Sequence, residues 1–346
     1  MPNNQQLQKI EELAHGTLPN GPPPPPGAIS AEGITNLQLV EFNENFEVAF
    51  FSSLLFNVTT NVSGFEISDS KQRDFVIEVL TAVLAQEELH AINAEQGLQS
   101  QNQQPILPCK YVFPTTTFDD AIVLAATFTD LVLGTLQDVI EVFADNNDNA
   151  ATRGVASVIG QEGEQEGFYR LLQNKKLIPN ALPFLTTSVR DFAFSALQGF
   201  VVPGSCPNED LINLKIFGIL NLNTKVIQPK DQDLSFSFDI NSLKQSKNLD
   251  FKALFGSSSG PDDYSKYDYT KLSLVLINQQ NLPIVEPLKN VQVKGSVVSF
   301  DALFPFEENS LNSLTIAAVT VGKGPFASAR DVADATLFAP ALIEVN

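Results

Sequence analysis

Four stretches between residues 36 and 174 carry apolar side chains at alternating three- and four-residue steps, and each sets an acid in the middle of its stripe. The first reads Leu37, Val40, Glu44, Glu47, Phe51, Leu54, Val58. The second reads Val76, Leu80, Val83, Glu87, His90, Ala94. The third reads Val123, Ala126, Asp130, Leu133, Gln137, Ile140, and the fourth Val155, Val158, Glu162, Gln165, Tyr169, Leu172. Stripes with this spacing are the faces that helices bury against one another, and they should be apolar throughout. Burying one unpaired carboxylate costs several kcal/mol, so four helices that each bury one require a common compensation.

Capping signals mark the helix starts: Thr35-x-x-Gln38, Asp69-x-x-Gln72 and the weaker Thr117-x-x-Asp120. The periodicity predicts helices over 36–60, 70–98, 118–144 and 149–174, with a shorter one at 187–199, and the connections permit an antiparallel bundle. After Pro203 and Pro207 the texture changes to β-rich segments, Leu234–Ile240, Leu272–Asn278, Val291–Phe300 and Leu314–Val321, separated by turn-rich runs such as Gly256 to Asp263. Charge changes at the same place: residues 30–200 hold 22 acids and 8 bases, residues 201–346 hold 16 and 12. Pro22 to Pro26 make a stiff extended segment. The expected organisation of the 346 residues is α+β. It has a Pro-rich arm at 1–29, an all-α antiparallel four-helix bundle at 30–200 and an antiparallel, sandwich-like β domain at 201–346.

An economical compensation for the seam acids is a cation shared between helices. Carboxylate-bridged dimetal bundles use this layout, with one acid from each of two helices and an acid-x-x-His pair from each of the other two. Glu87-x-x-His90 fits that pair, because a three-residue step brings both side chains to one helix face. Glu162-x-x-Gln165 fits it in spacing only. The segment from Asn43 to Phe51, the Gln86-Glu87-Glu88-Leu89-His90 run and Gly160-Gln-Glu162-Gly-Glu-Gln165 resemble three helices of the ferritin-like family of desiccation- and stress-related proteins. Gly16 to Pro26 and Gly33-Ile-Thr-Asn-Leu-Gln resemble more narrowly the fungal late sexual development proteins, and only this narrower resemblance extends over the β part. Carried over by position, the ligands it implies are Glu44, Glu87, His90, Asp130, Glu162 and Gln165. Asp130 is shorter than glutamate and Gln165 stands where the pattern has a second histidine, so the implied site is degenerate. One Fe, Mn or Zn ion remains open, as does a metal-free polar network with protonated His90 as the cation. Glu47 at the seam edge is expected in water, and Glu88, Glu164 and Glu166 on the solvated surface.

The excess of acids, 40 against 21 bases, repels phosphate backbones and anionic membrane surfaces, which argues against nucleic acid as a partner. No run of 18 consecutive apolar residues suggests membrane insertion. With His15 in the arm and His90 on the seam as the only histidines, a Ser-His-Asp hydrolase is disfavoured. Cys109 and Cys206 lack His or Cys companions, so a disulfide is preferred to a zinc pair. Together with the acceptor triplets at Asn57 and Asn61 they favour a secreted, glycosylated protein. The resulting expectation is a stress- or development-associated structural or interaction module, with the cell wall as one location. The alternatives are an Fe- or Mn-dependent oxidation or peroxide-consuming activity, and cell-wall glycan binding through the β domain, where Asp262 to Tyr269 mixes carboxylates with aromatics.

Overall fold

The structure is a computed structural model and describes residues 1–175, 180, 182–245 and 264–345. Its helices are α1 (Asn4–Ala14), α2 (Ala31–Thr59), α3 (Ser70–Ser100), α4 (Phe118–Asp145), α5 (Asn149–Leu172), α6 (Arg190–Leu197), α7 (Phe306–Asn309) and α8 (Ala329–Ala335). Its strands are β1 (Leu220–Leu222), β2 (Gln232–Asp239), β3 (Leu272–Asn278), β4 (Ile284–Pro287), β5 (Lys289–Lys294), β6 (Val297–Phe304), β7 (Ser313–Val321) and β8 (Thr336–Val345). The fold class is therefore α+β with antiparallel sheets, as the change of texture after residue 200 predicts.

Asp69 and Thr117 cap α3 and α4 as expected, accepting from the backbone N–H of Gln72 at 2.8 Å and Asp120 at 3.1 Å. The start of α2 differs from expectation. Ser30 is its cap, with Oγ accepting from Gly33 N–H, while Thr35 lies inside the helix and donates to the Ala31 carbonyl. Ser30 is held there because its own N–H and hydroxyl both donate to Asp148, at 3.0 and 2.6 Å. The chain ahead of α2 also corrects the sequence reading. Asn3 caps α1 in a full capping box, and Leu7, Ile10 and Leu13 pack with Ala85, Leu89 and Ile92 of α3. His15, at the C-cap of α1 with φ 58°, is exposed.

Contacts divide the chain into two compact units, and the division does not fall at residue 200. The first comprises residues 1–126, 139–173 and 197–214. The second comprises 127–138, 174–196 and 215–346. In the first, α2 meets α5 through stacked Phe51 and Tyr169, α3 meets α5 through Phe75 and Phe168, and Asn36 of α2 donates to the Val139 carbonyl of α4. The Cys109–Cys206 disulfide, expected from the sequence, is present in this unit.

The second unit holds two four-stranded sheets, ordered β1-β2-β6-β5 and β4-β3-β7-β8. Leu234, Phe236 and Phe300 of one sheet and Leu274, Leu276, Val319 and Phe338 of the other share one core. The alternate residues Val275, Ile277, Ile316 and Ala318 pack on the opposite face with Leu131, Val189, Phe192 and Val332. Burial on both faces explains why β3 and β7 carry apolar residues at successive positions, Leu274–Ile277 and Ile316–Val319, instead of alternating. It also explains the middle of α4. That helix is long and apolar enough to cross a membrane, yet 78% of its most apolar window is buried inside the protein, as in a core helix.

The single strand expected over Val291–Phe300 is instead a hairpin. Lys294 pairs with Val297, and Gly295 takes φ +63° in the two-residue turn, a conformation that costs glycine little. Asp138, 6% exposed, ties this unit together. It accepts from Arg330 Nη2 at 3.0 Å and from the Arg190 backbone N–H at 3.1 Å. Asp138→Ala should destabilise the second unit by about 2–3 kcal/mol, because it strips a charged acceptor from two donors, one of them half exposed. Chemical denaturation checks this, and Asp138→Asn should cost less.

Candidate metal centre

Helix periodicity carries Glu44 on α2, Glu87 and His90 on α3, and Glu162 on α5 toward one point. Each of the four offers a ligand atom within 4.8 Å of the others. His90 Nδ1 lies 2.8 Å from Glu87 Oε2, 3.6 Å from Glu44 Oε2 and 3.9 Å from Glu162 Oε1. The three carboxylates are almost completely buried, whereas the imidazole is only partly so.

The electrostatics follow from burial. Loss of water raises Glu44 to about 7 even though His90 pulls the other way. Glu162 is driven well above the carboxylate range by burial, then by the charges of Glu44 and Glu87. For His90, burial opposes protonation, but Glu87 and Glu44 outweigh it and hold the ring well above the ordinary histidine value. One imidazolium does not satisfy the group. Glu44 Oε2 and both oxygens of Glu162 are buried without a hydrogen-bond donor among the described residues. Each such oxygen is costly to leave bare. Three carboxylates and one imidazole are a donor set for Mn, Fe or Zn, so the residues present fit a divalent ion.

The other two sequence-implied ligands are placed differently. Gln165 lies at the edge of the group, but its amide nitrogen faces it, donating to Glu87 Oε1 at 2.6 Å and Gln86 Oε1 at 3.1 Å. Its oxygen accepts from the Tyr169 hydroxyl at 3.3 Å. An amide NH₂ has no lone pair for a metal, so in this arrangement Gln165 positions Glu87. Asp130 falls in the second unit, where it accepts from the Ser313 hydroxyl at 3.1 Å. The third helix therefore contributes no ligand to the four-residue group.

Three acids expected in water or on the surface are not there. Glu47 is 2% exposed, accepts from Asn43 Nδ2 at 2.9 Å and is raised well above the usual range, first by burial and then by Glu87, Glu162 and Glu44. Glu166 is buried with Arg170, 3.9 Å away one turn on. An oppositely charged residue four positions later was the available signal. Glu88 is half buried, and Glu164 is exposed as expected. Asn61 is exposed in the turn after α2 and Asn57 half buried in its last turn, so Asn61 is the more accessible acceptor. In the β part, Asp262 and Asp263 lie outside the described residues. Tyr264 and Tyr267 pack edge to face on each other and against the sheet core, and Tyr269 is buried, so these three rings are engaged in packing. No family model matches the chain, and no curated protein matches it.

Proposed function

We propose that the helical unit is a ferritin-like bundle that holds one divalent Mn, Fe or Zn ion on Glu44, Glu87, His90 and Glu162. In this reading the protein works outside the cell as a structural or interaction module. The observation that carries the metal reading is Glu162, whose two oxygens are buried beside His90 and accept no hydrogen bond among the described residues. A bound ion would supply the positive charge that these carboxylates lack and would link α2, α3 and α5. Gln165 holds one oxygen of Glu87 and His90 the other, which fixes the carboxylate plane before any ion arrives. The extracellular reading rests on the disulfide, which persists in oxidising compartments.

Protein purified without added metal, then loaded separately with Mn²⁺, Fe²⁺ or Zn²⁺ and dialysed, should retain close to one equivalent of at least one of them. Retention of none would refute the reading. One ion rather than two is expected because Gln165 turns its NH₂ inward and Asp130 is engaged by Ser313. Gln165→His should therefore raise the stoichiometry toward two, as read by elemental analysis. A wild-type protein that already binds two equivalents tightly would contradict the degenerate ligand set.

A further inference from the structure

Two of the three helices that carry the carboxylate group, α2 and α3, also border a second feature. Glu41, Asn45 and Val48 of α2, at four- and three-residue steps, and Glu88, Ile92 and Glu95 of α3 line an open cavity of about 610 Å³ together with Ile10 of α1. Glu44, Glu47 and Glu87 do not line it. The volume lies within the range of small-molecule sites.

The lining is short of donors. Glu41 is 3% exposed; its Oε2 accepts from Ile106 N–H at 2.6 Å, and its Oε1 takes no hydrogen bond or ion pair among the described residues. Asn45 spends its NH₂ on the Ile106 carbonyl at 2.8 Å, which leaves its carbonyl oxygen without a donor. Glu88 has no partner among the described residues either. Two cations of the lining are already engaged by other acids: the Met1 ammonium lies 3.7 Å from Glu95, and Lys9, the one basic side chain, is mostly exposed beside Glu12. The lining also includes Val48, Ile92 and Ile10, which offer a ligand only apolar contact.

From this arrangement we infer that the cavity binds a small organic cation, an alkylammonium or alkylguanidinium. Its N–H groups would meet Glu41, Glu88 and the Asn45 carbonyl, and its aliphatic stem would lie on Val48 and Ile92. A buried carboxylate with one oxygen held by backbone and the other open is a fixed acceptor that a charged donor suits. A bare metal ion would leave the apolar residues and most of the volume unfilled, and an anion would meet three carboxylates, Glu41, Glu88 and Glu95. The inference is independent of whether the Glu44 group holds metal.

The test is a calorimetric titration of the full chain with n-pentylammonium and n-pentylguanidinium, with 1-pentanol and pentanoate as controls. One saturable site is expected for the cations, with both controls at least tenfold weaker. Glu41→Gln and Glu88→Gln should each weaken the cations tenfold or more while leaving the helical circular dichroism unchanged, and Val48→Trp should block binding by filling the cavity. Absence of saturable cation binding would overturn the inference. So would pentanol binding as well as the amine, equal binding by both glutamine variants, or displacement of the amine by one equivalent of Mn²⁺, which would put it in the carboxylate group instead.

Discussion

If the four-residue group holds metal as proposed, His90→Ala should abolish retention, weakening binding by roughly 100-fold or more, since it removes the group's one nitrogen ligand and the side chain that orients Glu87. Equilibrium dialysis against Mn²⁺ and Zn²⁺ reads the loss directly. Without metal the same variant leaves Glu44, Glu87 and Glu162 with no nearby counter-charge from the ring, so its helical unit should also be less stable than that of the metal-free wild type. Equal stability and no metal binding by either protein would mean that the four residues are neither a metal site nor a required polar network.

The pH dependence has opposite signs with and without the ion. In the metal-free protein Glu44 titrates near 7 rather than at the ordinary 4.5, because burial favours its neutral form. The folded state then holds a proton that the unfolded chain has released. Stability is fully present below about 4.5 and is lost as pH rises toward 7. Metal binding needs the ionised carboxylates, so retention should strengthen as pH rises over that interval, and the stabilisation by metal should be largest above 7. Thermal melts at pH 5 and pH 8, each with and without Mn²⁺, separate the two. A melt that the ion raises equally at both values would contradict the assignment of Glu44 as a ligand.

Reducing the Cys109–Cys206 bond is the second large effect. The cysteines are 97 positions apart, and by the chain-entropy argument a crosslink of that span stabilises by up to about 4–5 kcal/mol, through the freedom it removes from the unfolded chain. The bond lies wholly within the first unit, which also holds the Glu44 group. The double variant Cys109→Ser, Cys206→Ser should therefore lower the helical transition by several kcal/mol and leave the sheet-bearing unit's transition nearly unchanged. Thiol titration of the unfolded, unreduced wild type should find no free thiol.

The four residues that meet at the candidate centre were legible because helical periodicity is a local property. Glu44, Glu87, His90 and Glu162 sit at three-four steps within apolar stripes, and an acid at such a step has no inexpensive place to go unless it finds company. The same locality gave away β3 and β7, whose apolar residues Leu274–Ile277 and Ile316–Val319 fall at successive positions. It could not give β8, because Pro340 interrupts the pattern; the strand tolerates it by lying at the edge of its sheet, beside an irregularity in its pairing with β7 between Ala317 and Val319. Nor could it separate β5 from β6, since the residues flanking Gly295 have strand character on both sides and only pairing reveals the turn.

What a seam position meets is decided by another element. Asp130 has the same stripe position as the other mid-seam acids, yet it ends beside Ser313, 183 residues along the chain, because the middle of α4 is buried in the unit that carries the sheets. Gln165 kept its expected place but turned its NH₂ inward, since Glu87 can only accept and Tyr169 supplies a donor for the oxygen. Glu47, at the edge of its stripe, and Glu166, one residue beside its own, are both buried, because how deep a seam edge lies is set by the helices packed over it. The sequence by itself determined which helices exist and which face of each carries an acid, because both follow from residue spacing. Only the tertiary structure decided which acids share a centre, because that depends on how faces distant in the chain meet.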